Sequence, residues 1–172
     1  MLKKLTQTFR DMGTIKTLCE AAERIANAEH QMLPGAEHFV LAALELPDGS
    51  AARVFAKLGI SAGTFREALR EVHRASLRAA GVSAEQIAGS ERDVPPLPRP
   101  DELYNAAPSG EAVLKGLAAL RKRGVSGALI GVHVLEVVST MQYGPVARAF
   151  ALLGRDVPSV MAAIQSEMVM AA

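Results

Sequence analysis

Four histidines, one cysteine and the tetrapeptide Gly35-Ala36-Glu37-His38 are the residues of this chain with chemistry to offer. A zinc site draws on ligands at set spacings, such as His-Glu-x-x-His or paired cysteines and histidines. His30 and His38 stand eight positions apart across a Pro34-Gly35 break, and His73 and His133 lie far away in the chain. That pattern supports no metal site, and no cofactor is expected. His38 and His133 occupy matching places at the start of two apolar runs, which predicts structural histidines, hydrogen-bonded and partly buried. Cys19 falls on the apolar side of its segment, with no activating base in view, so it reads as core packing rather than a nucleophile. Glu37 belongs to the first turn of a helix, where the dipole favours a carboxylate and where it can help close the preceding loop. An enzyme built in a helical bundle needs facing carboxylates or metal ligands, for example Glu-x-x-His on two helices. The chain has no such pair, so it reads as a protein without an enzymatic activity.

The elements that position these residues are helical. In 172 residues the chain is 49% hydrophobic, has no tryptophan and is dominated by alanine, leucine and valine. This composition suits helices and excludes a disordered chain. A net charge of +1 creates no field for nucleic acid or anionic lipid. A single cysteine cannot form an internal disulfide, and the N-terminus lacks the apolar run of a secretion signal. No apolar run approaches the ~18 residues of a membrane span. A soluble, cytoplasmic, all-α protein is the expectation.

Its organisation is repetitive. "GSAARVFAKLG" at 49–59 and "GPVARAFALLG" at 144–154 share seven of eleven residues at an offset of 95. The same offset aligns His38 with His133, Cys19 with Leu114, Phe65 with Val160, and Leu69 with Ile164. Periodicity predicts helices around the stripe Ile15, Leu18, Cys19, Ala22 and Ile25, the run Phe39–Leu44, and the stripe Ala51, Val54, Phe55 and Leu58. Gly59 closes the third helix, and Ser61 caps a fourth that carries Phe65, Ala68, Leu69 and Val72. Asp156 takes the place of Ser61 in the second unit, with Pro158 in the first turn. The chain therefore divides into an N-terminal extension over 1–13 containing a short helix, a first repeat over 14–80, a connector over 81–108 and a second repeat over 109–172. "PPLPRP" makes the connector a stiff, extended spacer. Arg53 and Arg148 are charged in both units and either pair with acids of a neighbouring helix or face solvent. "RKRG" at 121–124 places positive charge at a helix C-terminus. Met161, Met168 and Met170 make the last helix adaptable.

The stretch "AAERIANAEHQMLPGAEHFVLAALELPDGSAARVFAKLGIS" resembles the N-terminal (Clp repeat) domain of the ClpA, ClpB and ClpC AAA+ unfoldases. Gly35-Ala36-Glu37-His38 is similar to that family's Gly-Thr-Glu-His, and Ile130-Gly131-Val132-His133 keeps only its histidine. The likeness extends over about residues 12–170. It implies a tandem duplication of a four-helix unit, packed as an eight-helix bundle. It also implies a protein-binding module for adaptors, substrates or degrons of a Clp unfoldase. The chain has no Gly-x-x-x-x-Gly-Lys-[Ser/Thr] loop to hold ATP, so it resembles the docking domain alone. In the ClpC branch the matching glutamate binds the guanidinium of phosphoarginine, with a threonine at the start of the unit's first helix. The resemblance thus implies Glu37 as a degron contact with Thr14 beside it, the ungapped threonine position being Met12. In the second unit these positions are Ala107 and Val132, which implies a lost site. The alternative reading is a helical ligand-responsive or transcriptional regulator unrelated to proteolysis.

Overall fold

A computed structural model describes residues 2–83, 85–86, 104–125 and 127–171, with the side chains of 11–83, 85–86, 104–125 and 127–170. Among these, eight helices and no strands are present: α1 (Leu2–Ala28), α2 (Ala36–Leu44), α3 (Ser50–Lys57), α4 (Ala62–Ala79), α5 (Pro108–Lys122), α6 (Gly131–Ser139), α7 (Pro145–Leu152) and α8 (Val157–Ala171). The protein is all-α, as its composition predicts. No helix among the described residues is long and apolar enough to cross a membrane.

The helices of the two halves follow one grammar. The bounds of α2 and α3 recur in α6 and α7 at the offset of 95, and α4 and α8 start at that same offset. Local rules account for this. Gly59 (φ 66°) and Gly154 (φ 67°) are left-handed residues at the ends of α3 and α7. In both, the next residue returns its N–H to a carbonyl of the helix, Ile60 to Phe55 at 2.9 Å and Arg155 to Phe150 at 2.9 Å. A glycine takes that backbone without the Cβ penalty. The Ser61 hydroxyl accepts the Thr64 N–H at 3.0 Å, and the Asp156 carboxylate accepts the Ser159 N–H at 3.0 Å. Both are the N-caps that the sequence predicts.

One expected boundary is absent. The short helix expected within 1–13 is continuous with the next, and α1 runs unbroken through Gly13. A glycine inside a helix costs only about 1 kcal/mol. The tertiary structure offsets this: Asp11 is buried on α1, 2.5 Å from the Arg121 guanidinium of α5, and accepts the Leu129 N–H at 2.9 Å. The run "PPLPRP", expected to be an extended spacer, lies outside the described residues. Downstream of it, α5 starts at Pro108, one residue before the expected repeat boundary.

The halves interlock instead of standing side by side. α2 and α6 pack together at the centre, α3 packs on α8, and α4 packs on α7. Phe55 of α3 and its counterpart Phe150 of α7 therefore meet, with ring centroids 5.9 Å apart, and Phe65 of α4 lies 5.2 Å from each. Burying each ring contributes about 1.5–3 kcal/mol, and the edge-on pairs add about 0.5–1.5 kcal/mol each. Leu18, Phe39, Val54, Leu117, Leu120 and Ile164 complete a core drawn from both halves.

Candidate functional site

The N-terminus of α2 gathers the residues of the Gly-Ala-Glu-His motif. Gly35 is the N-cap, with extended backbone (φ −94°). Its N–H donates to His38 Nδ1 at 2.8 Å. A histidine one turn into the helix here does the work usually given to glutamate or glutamine in a capping box. Accepting at Nδ1 places the imidazole proton on Nε2, and that atom is 3.4 Å from Glu29 Oε2. Burial pushes the Glu29 carboxyl upward, but the His38 contact and the Arg66 charge outweigh it and hold it below the usual carboxylate range. His38 itself is fully buried. It is a structural histidine, as expected.

Glu37 folds back over Gly35. Its carboxylate oxygens sit 2.7 and 2.8 Å from where a Cβ on residue 35 would stand, so only glycine admits this rotamer. Oε1 is 3.7 Å from His38 Nδ1. That atom already accepts a hydrogen bond and carries a lone pair, so the contact is no ion pair. Oε2 is buried and has no hydrogen-bond partner. Buried carboxylate oxygens are almost always satisfied, so this one stands out as an exception.

The expected companion of Glu37 is elsewhere. α1 and α2 run antiparallel, with Glu29 beside His38 and Arg24 paired with Glu45. Thr14 is half-buried on α1, fifteen residues before Glu29. At a rise of about 1.5 Å per residue, that is roughly 22 Å along the helix. Thr14 and Glu37 do not converge, and Met12, the ungapped threonine position, is 62% exposed. What meets the α2 N-terminus comes from the second half. Ser109 Oγ accepts the Ala36 N–H at 3.2 Å, and the Ala107 N–H donates to Pro34 O at 3.1 Å. Ser109 stands 73 positions from Ala36, and no local pattern pointed to it.

The N-terminus of α6 repeats this backbone with different chemistry. The Ile130 N–H donates to His133 Nδ1 at 3.0 Å. Burial pushes the His133 imidazole below its ordinary range, with the Arg121 charge adding to that effect, while Glu136, Asp48 and the Ile130 backbone oppose it. Where Glu37 stands in the first half, Val132 is fully buried. The end of α6 is sealed by Asp48 of the α2–α3 turn and by Ser50, the first residue of α3. The Gly131 N–H points at both Asp48 oxygens, at 3.2 and 3.3 Å, and the Val132 N–H donates to Ser50 Oγ at 2.8 Å. Ser50 in turn donates its hydroxyl to Asp48, and its own N–H reaches that carboxylate at 2.9 Å. A carboxylate of the chain itself thus occupies the helix end that an anion would otherwise find.

Cys19 is half-buried against the core, and burial raises its thiol above the usual range, with Tyr104 as a hydrogen-bond partner opposing the rise. Among the described residues no group of three or more metal-ligating side chains comes together. Arg53 Nε reaches Glu167 on α8 at 2.6 Å, whereas Arg148 Nη1 donates to the Ser76 hydroxyl on α4 at 2.9 Å. Arg121 donates past the end of α5 to the carbonyls of Val125 and Gly127, at 2.8 and 3.0 Å. Met170 is exposed, while Met161 accepts from Ser139 and Met168 packs on the core. The chain matches no protein-family model, and no curated protein matches it.

Proposed function

We propose that this chain is a non-enzymatic protein-binding module that resembles the Clp unfoldase N-domain. It takes adaptors, substrates or degrons and so modulates a Clp chaperone or protease. The observation that carries the reading is the bare, buried Oε2 of Glu37, held over Gly35 at the junction of the halves. A planar guanidinium offers paired donors to such a carboxylate. An arginine-bearing or phosphoarginine-bearing segment is the ligand class that follows. The companions of Glu37 in this reading are Ser109 and the α5 N-terminus, in place of Thr14. We place the protein in the cytoplasm, where a lone thiol such as Cys19 stays reduced.

The test is a pull-down from the source lysate with the wild-type protein and Glu37→Ala side by side. Clp unfoldase, adaptor or arginine-phosphorylated proteins should bind the wild type and be lost from the variant. Equal capture by both proteins moves the contact away from Glu37. Capture of no Clp component by either removes the Clp reading and favours the helical-regulator alternative.

A further inference from the structure

We infer that the groove between α3 and α8 is a second docking surface, and that it takes an acidic peptide segment of a partner protein. The groove is open, has a volume of about 630 Å³, and runs along Lys57, Leu58 and Gly59 on one side and Arg155, Ser159 and Ala163 on the other. Such a volume lies within the range of ligand sites. Two cations and no acid line it.

Arg155 is the distinctive residue. It follows the left-handed Gly154, at the position where a helix end ordinarily places an apolar side chain. The first half obeys that rule with Ile60, which is buried. In the second half a half-buried guanidinium lies across Gly59 instead, with Nη2 3.5 Å from where a Cβ there would stand. Its Nε is buried without a hydrogen-bond partner, and among the described residues no acid pairs with Arg155. Lys57 is shared with Glu167 beneath the groove, at 3.0 Å. Arg53 also pairs with that carboxylate, and with the ionised Asp156 counted the local sum of Arg53, Lys57, Arg155, Asp156 and Glu167 is +1. Burial works against ionising Glu167, but Lys57 and Arg53 hold its carboxyl below the usual range. Asp156, the exposed neighbour, is engaged by Ser159. A guanidinium with an unmet donor suits a carboxylate that binds two N–H groups at once.

The inference deepens the binding-module reading by naming the charge of one partner, yet it requires neither Glu37 nor a Clp protein. Its test uses the purified chain, so its failure leaves the pull-down result untouched. The probe is a fluorescein-labelled peptide of alternating glutamate and leucine, with a glutamine-for-glutamate counterpart, read by fluorescence anisotropy. The acidic peptide should bind and the glutamine peptide should not. Arg155→Ala should weaken binding about tenfold, the scale of one charged hydrogen-bonding contact. Arg155→Lys, which keeps the charge, should fall between. Lys115→Ala removes an exposed cation of α5 and should leave binding unchanged. No binding of the acidic peptide, equal binding of both peptides, an undiminished Arg155→Ala, or an equal loss in Lys115→Ala would each overturn the inference.

Discussion

The N-termini of α2 and α6 have the same backbone and the same histidine cap, and they differ in what seals them. At α6, Asp48 and Ser50 reach across from the first half and take the Gly131 and Val132 N–H groups. At α2, Ser109 reaches across from the second half and takes one N–H, and a Glu37 oxygen stays without a donor. The position equivalent to Asp48 is Tyr143, which is 88% exposed and plays no such part. A shared helix pattern preserves the scaffold, while a few residues from the opposite half decide which end stays closed.

The two seals differ in what their loss should cost. Asp48→Ala strips three donors of their acceptor and should cost about 2–3 kcal/mol. Ser109→Ala should cost about 1 kcal/mol, because it removes one hydrogen bond. Urea denaturation of the two variants measures the difference, and equal losses would mean that the α6 seal is no stronger than the α2 one.

A second contrast concerns the equivalent arginines. Arg53→Ala leaves Glu167, which is 1% exposed, with Lys57 alone, and should cost about 1–3 kcal/mol. Arg148→Ala removes an exposed contact to Ser76 and should stay within about 0.5 kcal/mol. Thermal melts should separate the two variants by several degrees.

The histidine-capped end of α6 should also respond to pH. His133 is held below its ordinary range in the folded protein, chiefly by burial. The unfolded chain therefore takes up a proton as pH falls through about 6.5, and the folded one lags behind. Stability should decline with acidification below that point, by at most about 1.4 kcal/mol per pH unit from this group. His133→Gln should flatten that part of the stability profile. A wild-type profile that stays flat from neutral pH to pH ~5 would show that His133 contributes no such linkage.

Much of the scaffold was legible before any coordinates. The Leu-Gly endings of α3 and α7, the caps Ser61 and Asp156, and the buried histidines His38 and His133 all lie where short-range rules place them. The short helix expected within 1–13 is instead the start of α1. Burial of Asp11 against Arg121 and the Leu129 N–H carries α1 through Gly13. The candidate site was legible only in part. Glu37 stands out by its motif, but that motif points to Thr14 within its own repeat, whereas Ser109 of the other half lies beside it.

Helical class, helix ends and the recurrence at 95 positions were determined by the sequence itself, since periodicity, capping and left-handed glycines act over a few residues. Which half serves which is set by the packing of the helices. Arg53 meets Glu167 across 114 positions, Asp48 meets Gly131 across 83, and Ala36 meets Ser109 across 73. The physical reason is the crossed packing of α3 on α8 and α4 on α7. It buries the phenylalanines of both halves together, and so brings the polar residues beside them to partners that no local pattern specifies.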